Sequence, residues 1–170
     1  MVPISAKADL FMKALIQRVS RARVTVAGKD TGSIGKGYAI LLGVRLQDTD
    51  ADAIFLAEKT ASLRIFPDSQ DKMNLAVSEV GGAVLVVSQF TLYADTRKGN
   101  RPSFINAAVP AEAERLYEVY VSQLRRILGH DKVATGVFRA SMSVEIVNDG
   151  PVTIELCSDS RIQNSGAHIC

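Results

Sequence analysis

Hydrophobic and polar residues follow the two-residue repeat of β-strands in several short stretches of the chain. Residues 23–26 alternate in this way, which predicts a half-buried strand, and residues 14–19 predict a first strand before it. Residues 38–44 form a continuous apolar run, and residues 83–89 are rich in β-branched side chains, so both stretches predict buried strands. Glycines between residues 28 and 37 indicate turns around these strands.

Two other stretches predict helices. Asp48, Thr49 and Asp50 are candidate N-caps for a helix that runs to about residue 63. A second helix begins near Pro110 and ends at Gly129. Its apolar positions recur at helical spacing, at Ala113, Leu116, Tyr120, Leu124 and Ile127.

Three further strands are expected near residues 132–138, 142–148 and 152–157, with a bend at residues 149–151 between the last two. The order is therefore strands, helix, strands, helix, strands. This order predicts a single α/β (α+β) domain in which two main helices pack on a mixed sheet.

Composition limits the class of protein. The 170 residues carry a net charge of +2, which permits a nucleic-acid partner without requiring one. No apolar run approaches the ~20 residues that span a membrane, and residues 1–11 contain no arginine and no long apolar core, so we expect no membrane segment, no leader and a cytoplasmic location. Cys157 and Cys170 have no CxxC spacing, so we expect reduced thiols.

Sequence motifs for common cofactors and metals are absent. The two histidines, His130 and His168, belong to no HExxH motif, and the chain contains no GxSxG, GxxxxGK[ST] or GxGxxG motif in a suitable context. We therefore expect no cofactor and no metal. A Ser-His-Asp arrangement stays open but has no support.

Three segments are unusual. The SQFTLY segment (residues 88–93) places Ser88, Gln89, Phe90 and Thr91 where a buried strand ends, a common position for sites in α/β folds. Alternatively, its hydroxyl groups satisfy backbone groups of a loop. The NDGPVT segment (residues 148–153) is, on residue types alone, a turn with a trans proline.

The third segment is a basic loop at residues 96–104. It contains Arg97, Lys98 and Arg101 together with glycine and proline. Three cations in an exposed loop are able to follow a phosphate backbone. A solvated loop without a ligand is an equally good interpretation.

Taken together, these segments resemble the D-aminoacyl-tRNA deacylase family. The similarity also includes residues 12–19, 63–68 and 72–75. It covers residues 12–157, which leaves residues 1–11 as an N-terminal extension and residues 158–170 as a flexible C-terminal tail. The SQFTLY and NDGPVT segments, in this order and spacing, are specific as a pair.

The resemblance implies a barrel-like sheet and a homodimer with two sites at the subunit interface. It implies that the Gly150-Pro151 peptide is cis and enters the partner's site, held there with the help of Arg18. Residues 88–91 would form the other wall, largely through main-chain groups, and Phe90 would contact the terminal adenosine of the tRNA. Arg97, Lys98 and Arg101 are the candidate tRNA contacts.

The resemblance also implies how substrates are selected. The β-carbon of an L-residue would strike the Gly150-Pro151 carbonyls, whereas a D-residue would point outward and glycine would escape rejection. Main-chain N–H groups near Phe90 and Thr91, with the ribose 2′-OH, would assist hydrolysis. Thr91 as a nucleophile is the alternative.

Competing hypotheses stay open. The same fold serves a sister group of achiral-tRNA deacylases, but the SQFTL sequence and the Gln17-Arg18-Val19 triplet favour the D-specific group. A nucleic-acid-binding module without catalysis and a structural dimerisation domain are further alternatives, and a deacylation assay separates them from the enzyme.

Overall fold

A computed structural model describes residues 11–159, and the predicted order of strands and helices is confirmed there. The strands are β1 (Lys13–Val26), β2 (Lys29–Ile34), β3 (Gly37–Gly43), β4 (Arg64–Pro67), β5 (Met73–Ala76), β6 (Ala83–Ser88), β7 (Val133–Thr135) and β8 (Ser143–Cys157). The helices are α1 (Asp50–Ser62) and α2 (Pro110–Leu128). Short 3₁₀ helices span Phe90–Tyr93 and His130–Lys132. Residues 1–10 of the predicted N-terminal extension (residues 1–11) and residues 160–170 of the predicted tail (residues 158–170) lie outside the described residues.

The main sheet is mixed. Its strand order is β2-β1-β3-β6-β7, and β8 pairs with the other side of β1. The pairs that involve β1 are antiparallel, whereas β3, β6 and β7 run parallel. The sheet curls until β2 approaches β7, where a β-carbon added to Gly32 would lie only 2.5 Å from the Thr135 carbonyl oxygen. The expected barrel-like mixed sheet with two helices is therefore confirmed. Strands β4 and β5 form a separate hairpin.

The core has two layers because alternate strand residues face opposite sides of the sheet. One side packs against both helices and contains Ile16, Tyr38 and Ile40. Helix α2 contributes a buried stripe that includes Leu116 and Leu124, at the spacing that the sequence predicts. The other side forms the barrel interior and contains residues such as Val19, Val24, Ala39, Leu85 and Val87. No helix within residues 11–159 is long and apolar enough to cross a membrane.

Strand boundaries differ from the prediction in three places. Residues 14–19 and 23–26 belong to one strand, β1, and residues 142–148 and 152–157 belong to one strand, β8. The pairing of β1 with β8 shifts register around Val19, because a bulge lets a long strand bend without ending. Strand β7 is shorter than predicted and spans only Val133–Thr135.

The end of β8 extends the pairing past residue 157. Ser158 is buried, and its N–H donates to the Met12 carbonyl oxygen at 3.0 Å. The preceding residue, Cys157, is disulfide-bonded, which corrects the expectation of a reduced thiol at this position. Cys170, the other cysteine of the chain, lies outside the described residues.

Candidate active site

The SQFTLY segment leaves the sheet as a tight turn. Ser88 ends β6 beside Leu42 of β3, and the Gln89 N–H donates to the Leu42 carbonyl oxygen at 2.8 Å. A 3₁₀ helix begins at Phe90, whose side chain is 56% exposed. The side-chain amide of Gln89 donates a hydrogen bond to the Thr91 hydroxyl oxygen. The predicted residues Ser88, Gln89, Phe90 and Thr91 are thus brought together at the carboxyl end of a central strand.

The basic loop reaches this turn through an aromatic contact. The ring of Phe104 packs edge-on against Phe90, with the ring centroids 5.1 Å apart. Paired hydrogen bonds between the backbones of Asp95 and Ser103, at 2.8 and 2.9 Å, close the base of the loop. The base of the basic loop therefore lies beside the exposed Phe90 residue.

The three cations of the loop are not equivalent. The Arg97 guanidinium donates to the Asp95 carboxylate at 2.9 and 2.5 Å, and these bonds hold the pKa of Asp95 down at about 2. Lys98 and Arg101 are exposed and make no ion pair within the described part of the chain. The carboxylate thus offsets one of the three charges that the sequence suggests.

The NDGPVT segment forms the bulge in β8, beside Arg18 of β1. The Gly150-Pro151 peptide is cis, so the trans turn expected from residue types alone is wrong and the expectation from the resemblance is confirmed. Gly150 has a φ of 138°, a conformation that L side chains rarely adopt. Both Gly150 and Pro151 are exposed.

Arg18 connects this bulge to the β4–β5 hairpin. Its side chain is largely buried, with a residue exposure of 9%. The Nε donates to the Asp149 carbonyl oxygen at 2.9 Å, and Nη1 donates to the Ile65 carbonyl oxygen at 2.6 Å. The guanidinium also forms an ion pair with the Asp149 carboxylate at 3.4 Å. The contact with Ile65, 47 residues away in the chain, has no signal in the local sequence.

Within one chain the two motif segments lie far apart. The bulge lies beside Arg18, but Ser88 aligns through Leu42 with Ala14, four residues away along β1. The segments are therefore separated by ~13 Å along the strands and, across the three strand spacings from β8 to β6, by a further ~14 Å. A single chain does not bring them together.

A half-buried carboxyl group lies just before α1. Burial raises the pKa of Asp48 to about 7, although its Oδ2 accepts a hydrogen bond from the Arg45 N–H at 2.6 Å. Of the three candidate N-caps, Thr49 is the one used, and its N–H donates to the Asp52 carboxylate at 2.8 Å. Among residues 11–159, no group of three or more His, Cys, Asp or Glu is arranged to hold a metal ion.

Comparisons with known proteins agree with this architecture. The model of the D-Tyr-tRNA(Tyr) deacylase family matches residues 15–157. A D-aminoacyl-tRNA deacylase of Heliobacterium modesticaldum is 60% identical over 143 residues, which are 84% of this chain and 94% of the relative.

Two solved structures share the fold. One is described as c-Myc DNA Unwinding Element Binding Protein; it is 42% identical, with a TM-score of 0.80 over 85% of this chain and 97% of that one. The other, described as a probable eukaryotic D-amino acid tRNA deacylase, is 16% identical, with a TM-score of 0.75 over 87% of this chain and 100% of that one, and it shows the fold alone.

The family model matches most of the chain, and this extent decides which family the chain belongs to. The matched region includes the SQFTLY segment, the basic loop and the NDGPVT segment. The bacterial relative is matched over nearly its whole length. The chain therefore belongs to the D-Tyr-tRNA(Tyr) deacylase family, whose members are hydrolases that act on ester bonds.

Proposed function

We propose that the protein hydrolyses the ester bond of D-aminoacyl-tRNA in the cytoplasm and releases free D-amino acid and tRNA. One observation supports the proposal most directly. In a chain of this family, the SQFTLY turn and the NDGPVT bulge are two exposed backbone segments that lie at separate positions of the same sheet. Two such segments from two chains would enclose the aminoacyl group.

The test is hydrolysis of matched D- and L-tyrosyl-tRNA by the purified protein without added metal. Equal rates on both isomers would contradict chiral selection, and loss of activity with a chelator, restored by zinc, would contradict metal-free hydrolysis.

Selection in this proposal depends on backbone atoms rather than on a side-chain pocket. The exposed Gly150-Pro151 carbonyls would face the α-carbon of the substrate, where the β-carbon of an L-residue would collide with them. Glycine has no β-carbon, so glycyl-tRNA would be hydrolysed as well. Arg18 would hold these carbonyls in place through its hydrogen bond to Asp149.

Catalysis would use main-chain N–H groups of Phe90 and Thr91 and the 2′-OH of the terminal ribose. The Thr91 hydroxyl accepts a hydrogen bond from the Gln89 amide nitrogen, a group that cannot take a proton from it. A threonine nucleophile needs an adjacent base, so this contact favours the main-chain mechanism.

The mechanism is tested by comparing Thr91→Ala with a substrate change. The variant should keep most of its activity, whereas a tRNA that ends in 2′-deoxyadenosine and is charged on its 3′-OH should lose ~10²–10³ in rate, as removal of one transition-state hydrogen-bonding group does elsewhere. An inactive but folded Thr91→Ala protein, with an unaffected deoxy substrate, would instead establish threonine as the nucleophile.

The separation of the two segments within one chain supports a homodimer in which each site takes its bulge from the partner. Mixing two inactive variants tests this arrangement. Phe90→Ala would remove the ring that contacts the terminal adenosine, and Gly150→Leu would block the site that receives the bulge. Because half of randomly assorted dimers contain one chain of each kind and each mixed dimer keeps one intact site, the mixture should regain about a quarter of wild-type activity. No recovery after co-refolding, or full activity from a sedimenting monomer, would refute the shared site.

A second candidate function is binding of nucleic acid without catalysis. The observation that favours it is the pair of exposed cations without ion pairs in the basic loop, Lys98 and Arg101. The 42% identical structure is described as a DNA unwinding element binding protein. A protein that binds tRNA or DNA in a salt-dependent manner but hydrolyses neither tyrosyl-tRNA isomer would support this function over the first.

A further inference from the structure

The last residue of the SQFTLY segment is a tyrosine that has no assigned part in the reaction. Tyr93 ends the 3₁₀ helix and is only 3% exposed. Its hydroxyl lies within hydrogen-bonding distance of two carbonyl oxygens, that of Phe11 at 2.7 Å and that of Gly43 at 3.0 Å. These carbonyls belong to segments that are adjacent in the sheet but distant in the chain, so one side chain joins the turn to both.

The turn also packs directly on the backbone at the end of β3. A β-carbon added to Gly43 would lie 2.9 Å from Cε2 of the Tyr93 ring and 3.3 Å from the Gln89 carbonyl oxygen. The Gln89 N–H donates to Leu42 at the other end of the turn. Residues 89–91 are therefore held against β3 on both sides, because Gln89 bonds to Leu42 and Tyr93 bonds to Gly43.

We propose that Tyr93 is a positioning residue for the reaction, which fixes the backbone of residues 89–91 through its hydroxyl and through its contact with Gly43. This inference rests on the proposed function, since it assumes that these residues face the aminoacyl ester. Because Tyr93 is buried and its hydroxyl meets backbone carbonyls, the hydroxyl would not reach the substrate. Its effect would pass through the backbone, whose donors must match a developing charge closely to stabilise it.

The test compares two tyrosines that undergo the same chemical change. Tyr93→Phe removes the hydroxyl beneath the turn. Tyr120→Phe is the matched control, because Tyr120 is fully buried and its hydroxyl bonds Thr60 Oγ1 at 2.7 Å between the two helices, away from the turn. Both variants keep the ring and lose one buried hydrogen bond. Their melting temperatures should therefore fall by similar amounts.

Activity should separate the two variants. We expect Tyr93→Phe to lower kcat on D-tyrosyl-tRNA by about tenfold, with KM nearly unchanged, because the turn binds the same groups but aligns them poorly. Tyr120→Phe should keep wild-type kcat. An equal fall in both variants, or wild-type kcat in folded Tyr93→Phe, would overturn the inference.

Amide hydrogen exchange provides a readout that does not depend on the reaction. The amides of residues 90–92 should exchange faster in Tyr93→Phe than in wild type, with no such change in Tyr120→Phe. If the wild-type protein hydrolyses neither isomer, the proposed function fails while exchange still decides whether Tyr93 holds the turn. Unchanged exchange at residues 90–92 would overturn the inference. Gly43→Ala, which crowds the same contact while keeping the hydroxyl, is the second variant, and it should also lower kcat.

Discussion

Replacement of Arg18 by lysine tests how the NDGPVT bulge is held. The guanidinium donates to Asp149 at 2.9 Å and to Ile65 at 2.6 Å, on two different segments. A lysine ammonium is a single donor centre on an unbranched chain and lacks the planar fork that reaches both carbonyls. Arg18→Lys therefore removes at least one charge-assisted hydrogen bond from a largely buried position.

The size of the effect follows from that loss. A hydrogen bond to a charged group contributes about 1.5–3 kcal/mol, so the variant should lose about 2 kcal/mol of unfolding free energy. For a domain of this length, that loss lowers the melting temperature by about 4–8 °C. If displacement of the Gly150-Pro151 carbonyls costs ~2 kcal/mol less in the variant, L-tyrosyl-tRNA is rejected less strongly. The preference for D- over L-tyrosyl-tRNA should then fall by as much as about 30-fold.

The assay measures initial rates on both isomers together with thermal unfolding. Arg21→Lys is the control on the same strand, because Arg21 is exposed and its pair with Glu145 lies at the surface, where such pairs contribute little. The control should keep both its melting temperature and its selectivity. An Arg18→Lys protein that is destabilised but has an unchanged ratio of D to L rates would refute the reasoning, because the bulge would then keep its position without the guanidinium.

Two further predictions concern charge. Charge reversal at both Lys98 and Arg101 should weaken tRNA binding and make its salt dependence shallower. Arg97→Ala should have a smaller effect, because it removes a single charge and the lost guanidinium is already bonded to the Asp95 carboxylate. The ratio of D to L rates should stay constant in both variants, and an unchanged salt slope after the double reversal would show that the loop faces solvent. Because burial raises the pKa of Asp48 from 3.8 to about 7, its contribution to stability is fully present below about pH 4 and is lost as the pH rises through about 7. Urea unfolding across this range should therefore show a steeper loss of stability in wild type than in Asp48→Asn, and equal slopes would contradict this assignment.

Residue patterns along the chain determined the elements whose signals are local. The apolar stripe, the initial proline and the final glycine of α2 all lie within one stretch, and the helix was predicted almost to its ends. Strands β3 and β6 were likewise predicted to within one residue at each end, because they are buried on both faces and are therefore apolar throughout. The occurrence of both the SQFTLY and NDGPVT segments in one sequence, in this order and spacing, was specific enough to indicate the family.

Only the tertiary structure decided how these elements join. Strands β1 and β8 are each continuous because they pair with one another along most of their length. The NDGPVT segment, which resembles a turn in the sequence, is a bulge within this pair of strands. The bonds from Arg18 to Ile65 and from Tyr93 to Phe11 connect residues 47 and 82 positions apart. Local patterns report which face of an element is buried, but they carry no information about which distant backbone carbonyl a side chain meets, because that depends on the path of the whole sheet.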